Sequence, residues 1–587
     1  MAAFVKNDRS DLEERISYIH SATHDVEAGK DGDYADVKTP GDIEDGALAE
    51  GGALDLLSRE ALALFCQYAA IGVIYGLIPT LSYPIFTIYL YLEGYQTASY
   101  GTLVTLGWSF KVCFGMLSDC FPILGYRRKS WILIGWTITM ICLAVMSFYP
   151  FGEPYCNREK AAAIGSKACS KPYSKASAAD KDLFNTSAPD NGTMFIMLSM
   201  LVSFGYVLSD CASDAMVVEY AQREPAAIRG RIQTAIYTVR TLFGIVASIV
   251  QGFGLNGANY GGSFSFSIGP NVPYIICFVP CVIVVLTTIF LMEEKKTPGT
   301  PFKVYVSNFW NLLQQRVMWQ ICAFRFINNM FQGIGSTAGS PMYNTWANVE
   351  PLNDALSSVL GSLIFSGILV VVGKWGLNWN WRWTIALASL GVMLIDGAIN
   401  FITIWDVVRN QWFYNGVGLA DNIPGGVRFI VATYCAVEIA EKGNEGATYG
   451  LVTTMNNLAG PFSSVLYKVI DSYFKVSQDD IQDDTNEVRW DVTYTYFISY
   501  GCKIAALFWL VLLPPQKKEM QELKRTGGKS KLAGAILVAT FVICLSFSVT
   551  TSIMSIFPST KCYRIVGGKG TDPATGKCPI VKSKKGF

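Results

Sequence analysis

Gly115-Met-Leu-Ser-Asp119-Cys-Phe-Pro122-Ile-Leu-Gly125-Tyr-Arg127-Arg128-Lys129 joins two apolar runs, residues 100–119 and 131–149. Each run is long enough to cross a hydrocarbon core of ~30 Å as a helix. Between them stand a carboxylate, a Pro and Gly turn, and three consecutive cations. A carboxylate closing one helix and a basic cluster opening the next can tie the two together in one conformation and release them in another. Gly115 allows a neighbouring helix to approach closely. A plain cytosolic anchor would account for the three cations alone; Asp119 and the wider layout ask for more.

Outward from this turn the same pattern repeats. The chain has 587 residues, 51% hydrophobic and 16% charged, with net charge +1. A soluble domain carries about 25% charge, and mean hydropathy here is +0.31. Apolar runs fall at 62–92, 100–119, 131–149, 194–220, 232–253 and 274–292, then at 319–340, 356–372, 383–405, 412–438, 448–473 and 493–513, with one more at 532–557. The expectation is an all-α polytopic membrane protein with an N-terminal six-helix bundle (61–292), a charged linker (293–316), a C-terminal six-helix bundle (317–515), a basic segment (516–531), an extra transmembrane helix (532–557) and a tail (558–587). Residues 1–60 are acidic and polar, a cytosolic tail expected to be disordered. No signal peptide is read there. The balanced charge gives no reason to expect nucleic acid as a partner.

Short loops set the orientation. Arg127–Lys129, Arg223 and Arg231, Lys295 and Lys296, and Lys517 and Lys518 all fall on one side, which must be the cytosol. The loop 150–192 then lies outside. It carries two glycosylation sequons, at Asn185 and Asn191, and two cysteines, Cys156 and Cys169, that could pair there. Cys562 and Cys578 could pair in the C-terminal tail if the last helix crosses. The remaining cysteines lie mostly within apolar runs, where Cys is a small apolar residue. Both histidines, His20 and His24, lie in the N-terminal tail, so any proton relay inside the membrane must use carboxylates or amines. No metal or cofactor is expected, and no HExxH or Walker loop points to an enzyme.

Eight charged residues inside the runs stand out: Lys111, Asp210, Asp214, Arg240, Arg325, Asp396, Asp421 and Arg428. Each costs about 2.5–3.5 kcal/mol at the bilayer centre even on the lenient insertion scale, on the order of 20 kcal/mol together if unpaired and facing lipid. They must pair or face a shared polar chamber. Asp210 and Asp214 are one helical turn apart and share a face. Val218-Glu219-Tyr-Ala221 and Val437-Glu438-Ile-Ala440 echo one another across the two halves, as duplicated halves would. Asp119, Arg127, Arg128, Glu219 and Glu438 are therefore expected to gate or tie helices. Pro79 and Pro84 interrupt the first run and Pro424-Gly-Gly426 the tenth, where broken helices can expose backbone groups to a midplane site.

The Asp119-to-Arg128 loop resembles the signature loop of the major facilitator superfamily. The longer run Gly107-Trp-Ser-Phe-Lys111-Val-Cys-Phe-Gly115 through Phe121-Pro122 and Gly125-Tyr126-Arg127-Arg128-Lys129 resembles the folate–biopterin transporter family of that superfamily. So does Ser209-Asp210-Cys-Ala-Ser-Asp214-Ala-Met-Val-Val-Glu219. The resemblance covers about residues 62–515 and implies a major-facilitator-type fold and a proton-coupled carrier working by alternating access. Its solute would be a folate, a biopterin or another organic metabolite such as S-adenosylmethionine. A non-transporting receptor on the same scaffold is the alternative. Under this reading Lys111, Arg240, Arg325 and Arg428, with Asp421, would meet the solute, since Arg grips carboxylates bidentately. Asp210, Asp214 and Asp396 would carry the proton, because neighbouring carboxylates raise one another's pKa. Trp108, Tyr206 and Tyr237 are candidates to stack on a pterin ring. A monomer is expected, in the plasma membrane or, as the alternative, an endomembrane.

Overall fold

Ser58 opens the first helix by accepting the Ala61 amide at 3.2 Å, and α1 runs Arg59–Thr80. Pro84 lacks the N–H that would bond Thr80, and its ring would crowd that carbonyl. The chain answers by widening into a π-helical stretch, Ser82–Tyr89; the Phe86 amide reaches back to Leu81 and the Leu90 amide to Ile85. The expected interruption is thus a change of winding and not a gap. The computed structural model describes residues 51–225, 231–376, 379–428, 445–573 and 575–579. The acidic tail up to residue 50, Glu438 and the second part of the tenth run lie outside these residues.

The second run is the one that departs most from a plain span. It begins earlier than expected and divides into α2 (Gly94–Val104), a 3-10 stretch (Leu106–Phe110) and α3 (Lys111–Cys120). The backbone amide of Gly107, freed by the break, is taken by Ser203 Oγ at 3.2 Å. Only glycine fits there, because a β-carbon would lie 2.5 Å from the Ser203 carbonyl oxygen. The break brings Trp108 and Lys111 to the point where the winding changes. α4 (Lys129–Phe148), α5 (Ala188–Gln222), α6 (Arg231–Ile249) and α7 (Val272–Phe290) complete the first bundle.

α8 (Phe302–Gln314) is the linker helix. The second bundle holds α9 (Arg316–Gln332), α10 (Gly339–Thr345), α11 (Pro351–Trp375), α12 (Trp381–Ile404), α13 (Gln411–Gly418), α14 (Glu445–Asp471) and α15 (Asn486–Ala506). A short polar helix, α16 (Lys517–Thr526), precedes α17 (Lys531–Met554). Pro424-Gly-Gly426 was expected to break the tenth run, but residues 422–428 are helical and the irregular winding lies just before them, at Leu419–Asp421. Among the described residues, eight helices are long and apolar enough to cross a membrane by length and composition, the last being α17. The two bundles meet along α2 and α3 against α14, and along α6 against α11. Exposed Leu, Ile, Val and Phe side chains on α6, α7, α12 and α17 form the outer surface. They fit a lipid surround, where apolar exposure carries no penalty.

Candidate functional site

The first bundle gathers Lys111, Asp210, Asp214 and Arg240 into one cluster. Lys111 Nζ donates to Asp214 Oδ2 at 2.8 Å and to Asp210 Oδ2 at 3.3 Å. Asp214 Oδ1 accepts Tyr68 Oη at 2.5 Å. Asp210 is fully buried, and its Oδ1 faces Arg240 Nη1 at 3.8 Å without a hydrogen-bond donor. The cluster balances two cations against two carboxylates, which removes most of the cost of keeping them from water. Arg240 lies over Tyr75 (4.8 Å to the ring centre) and Trp108 (5.5 Å), and Lys111 over Trp108 (5.1 Å), contacts that stabilise cations in dry surroundings. Trp108 Nε1 donates to Tyr206 Oη at 3.1 Å, and Tyr237 meets Tyr68 edge-on. Tyr75 and Tyr237 stay 45% and 42% exposed while touching this cluster, so the first bundle alone does not seal it.

The sequence reading placed Lys111, Asp210, Asp214 and Arg240 in a chamber, and the structure brings all four together. It missed Tyr68 and Tyr75, which stand seven residues apart and so share a face of α1. Lys111 and Arg240 are engaged with the aspartates, the mutual pairing that the cost of buried charge allowed from the sequence.

The second bundle is organised differently. Asp396 of α12 accepts Tyr500 Oη at 2.8 Å and Asn400 Nδ2 at 2.9 Å, and lies 3.8 Å from Lys503 Nζ. Asn400 in turn accepts Tyr414 Oη at 3.0 Å. Arg428 Nη1 donates to Gln332 at 3.0 Å. Asp421 ends the irregular turn before residue 422, and its buried Oδ1 has no hydrogen-bond donor. Arg325 is partly buried on α9. A groove of about 470 Å³, lined by Ser358, Ser362 and Ser366 of α11, ends at Asn422 beside Asp421. Two lysines escaped the sequence reading, although each interrupts an apolar run as plainly as Lys111 does. Lys503 is one; the other is Lys468 of α14, fully buried, with Nζ on Ser99 Oγ of α2 at 2.8 Å across the seam between bundles.

The turn between α3 and α4 forms a compact tie. Arg128 Nη2 is 2.6 Å from Asp119 and 3.7 Å from Glu219, and Arg127 Nη2 is 3.2 Å from Glu219. Glu294, not foreseen, accepts the amides of Arg127, Arg128 and Lys129 at 3.0, 3.0 and 2.7 Å. It supplies the acceptor that the start of α4 otherwise lacks. These contacts fasten the ends of α3, α4, α5 and α7 to one another within the first bundle. At the opposite end Cys156 is bonded to Cys169. Asn185 lies in that loop, whereas Asn191 falls in the first turn of α5, which begins at Ala188.

Two helical bundles meeting across a polar seam define the class: this is a multi-pass membrane protein of the major facilitator fold, a transporter and not an enzyme. The chain is similar in fold to a D-xylose–proton symporter, with a TM-score of 0.50 at 13% identity, over 78% of this chain and 99% of that one. More narrowly, the chain belongs to the BT1 family, whose model matches residues 72–164 and 185–531. It is 22% identical over 398 residues to the "Folate-biopterin transporter" of Synechocystis sp. (66% of this chain, 70% of that protein). It is 20% identical over 172 residues to the "Probable folate-biopterin transporter 4" of Arabidopsis thaliana (29% of this chain, 28% of that protein). The resemblance seen around Lys111 and Asp214 therefore holds. α17 from residue 532 onward and the C-terminal tail lie beyond the family match.

Proposed function

We propose that this chain carries a folate- or pterin-like organic anion across its membrane by alternating access, with protons as the coupling ion. The observation that carries the reading is the Lys111–Asp210–Asp214–Arg240 cluster, flanked by Tyr75, Trp108 and Tyr206. A flat heteroaromatic ring can stack among these side chains, as aromatic faces favour. A proton arriving on either aspartate frees Lys111 or Arg240 to meet a carboxylate of the solute, so proton and anion enter together. The second bundle would hold the other end of the solute through Arg325, Arg428 and Lys503, with Asp421 and Asp396 balancing charge. Asp119, Arg127, Arg128 and Glu219 would keep the first bundle rigid as it rocks. The chain would act as a monomer in the plasma membrane, glycosylated at Asn185. The names of the two curated relatives support the solute class.

Uptake of labelled folate, biopterin and S-adenosylmethionine into cells expressing the chain, at two external pH values, tests this. Folate or biopterin should accumulate, faster at the lower external pH. Flat uptake of all three would reject the solute class, and uptake indifferent to pH would reject the coupling.

A further inference from the structure

The C-terminal segment beyond α17 is outside the family match, yet it is attached to both bundles at the end that carries the Cys156–Cys169 loop. On the first bundle, Gln96 donates to the Ser555 carbonyl and Thr193 to the Ile556 carbonyl, each at 3.3 Å, and Lys561 forms an ion pair with Asp190. On the second bundle, Arg564 donates to the Ser472 carbonyl at 2.7 Å, and Lys569 reaches Ser477 and Asp480, both at 2.8 Å. Between these anchors Gly567, at φ +101°, crosses the seam itself. A β-carbon there would lie 2.6 Å from Tyr95 Cβ of α2 and 3.2 Å from Lys468 Cβ of α14. The left-handed backbone and the close approach both ask for glycine. The Cys562–Cys578 bond closes the segment into one loop. α17 rests on α2, α9 and α14, so the helix that delivers this loop also straddles the two bundles.

From this we infer that the disulfide-closed segment Ser555–Cys578 is a clamp that docks on both bundles and holds this end of the transporter shut. The inference rests on the alternating-access reading. A loop fixed to both halves at one end cannot stay fixed to both once the halves part there, so opening must break one set of anchors. The clamp therefore weights the resting population toward the state closed at this end, by its differential contact with the two states. Lys468 and Ser99, bonded to each other directly beneath Gly567, are uncovered when the clamp lifts.

Thr97 reports on the seam: it is 4% exposed and donates to Ser340 of the other bundle at 3.3 Å. In full-length Thr97→Cys protein, the rate of labelling by a membrane-impermeant maleimide, applied to the Cys156–Cys169 side, is the readout. Replacing Lys561, Arg564 and Lys569 together by Ala should raise that rate about tenfold. Should this variant fail to reach the membrane, a charge exchange serves. Lys561→Asp alone should label fast, and Lys561→Asp with Asp190→Lys should return to the slow rate. Labelling within about twofold of the parent in each released variant, whether slow or fast, would overturn the clamp. Failure of alternating access shows separately, as absence of folate counterflow in the unmodified chain.

Discussion

The two bundles solve one problem in two ways. In the first, Lys111, Asp210, Asp214 and Arg240 form one ion cluster, and Lys111 alone holds both Asp210 and Asp214. In the second, Asp396 and Arg428 rest on neutral partners: Tyr500, Asn400 and Gln332 supply the hydrogen bonds, and Lys503 lies 3.8 Å from Asp396. A tight ion cluster resists the loss of any member, because each charge depends on the others for its solvation. A cation held by a neutral amide or a distant carboxylate can take a new anionic partner at little cost. Under the proposed function the first bundle would register the proton, and the second would admit and release the anion.

The comparison breaks most sharply at Lys111. Lys111→Ala leaves two neighbouring carboxylates with only Arg240, and removal of one member of a buried pair costs about 3–5 kcal/mol. Thermal unfolding in detergent should show a large drop in midpoint together with loss of uptake. Adding Asp214→Asn should recover much of the stability and none of the coupled transport. A single variant as stable as the parent would deny the cluster its tightness. Lys503→Ala should do the reverse, since Asp396 keeps Tyr500 and Asn400. Stability should fall by about 1 kcal/mol, while the KM for uptake rises about tenfold for the loss of one charged contact to the solute. Unchanged KM would remove Lys503 from the solute site.

A smaller effect is expected at the seam. Glu93 lies in the turn between the π-helical stretch and α2, and its carboxylate accepts the Gln478 amide of the other bundle at 2.9 Å. Burial pushes the Glu93 carboxyl up to about 7; Asp479 and Asp480 nearby push the same way, against the Gln478 amide and Lys569. A carboxyl raised in the folded protein favours the fold while protonated, so keeping Glu93 buried at the closed seam grows costlier as pH climbs from the ordinary carboxylate range through about 7. Thr97→Cys labelling, divided at each pH by the rate of a free thiol to remove the growth of the thiolate fraction, should therefore quicken modestly between pH 5 and pH 8, windows set on either side of that value. Glu93→Gln should flatten the dependence; an unaltered slope would show that other groups set it.

Much of the fold was legible because lipid demands long apolar runs and charges inside them are conspicuous. Asp119 and Arg128 could be paired from the turn alone, and Asp210 with Asp214 from their spacing. What escaped depends on packing. Pro79, Pro84 and Pro424 mark irregular helices, but whether the chain widens, tightens or continues is decided by neighbours such as Ser203 at Gly107. Glu294 reaches Arg127–Lys129 from the linker after α7, more than 160 residues away in sequence, and no local pattern announces it. Lys468 and Lys503 were visible and passed over, since a lysine near the end of a run also reads as one that reaches for the interface. The C-terminal clamp could be read only as two cysteines; what it docks on belongs to tertiary structure.

The most direct test compares two modes of transport by purified protein in liposomes. For the parent chain, labelled folate should exchange across the membrane and should also accumulate when an inward proton gradient is imposed. For Asp214→Asn, which keeps the side chain's shape and an oxygen to accept from Lys111 while removing the titrating group, exchange should persist and accumulation should vanish. Gradient-driven accumulation undiminished in Asp214→Asn would contradict the account.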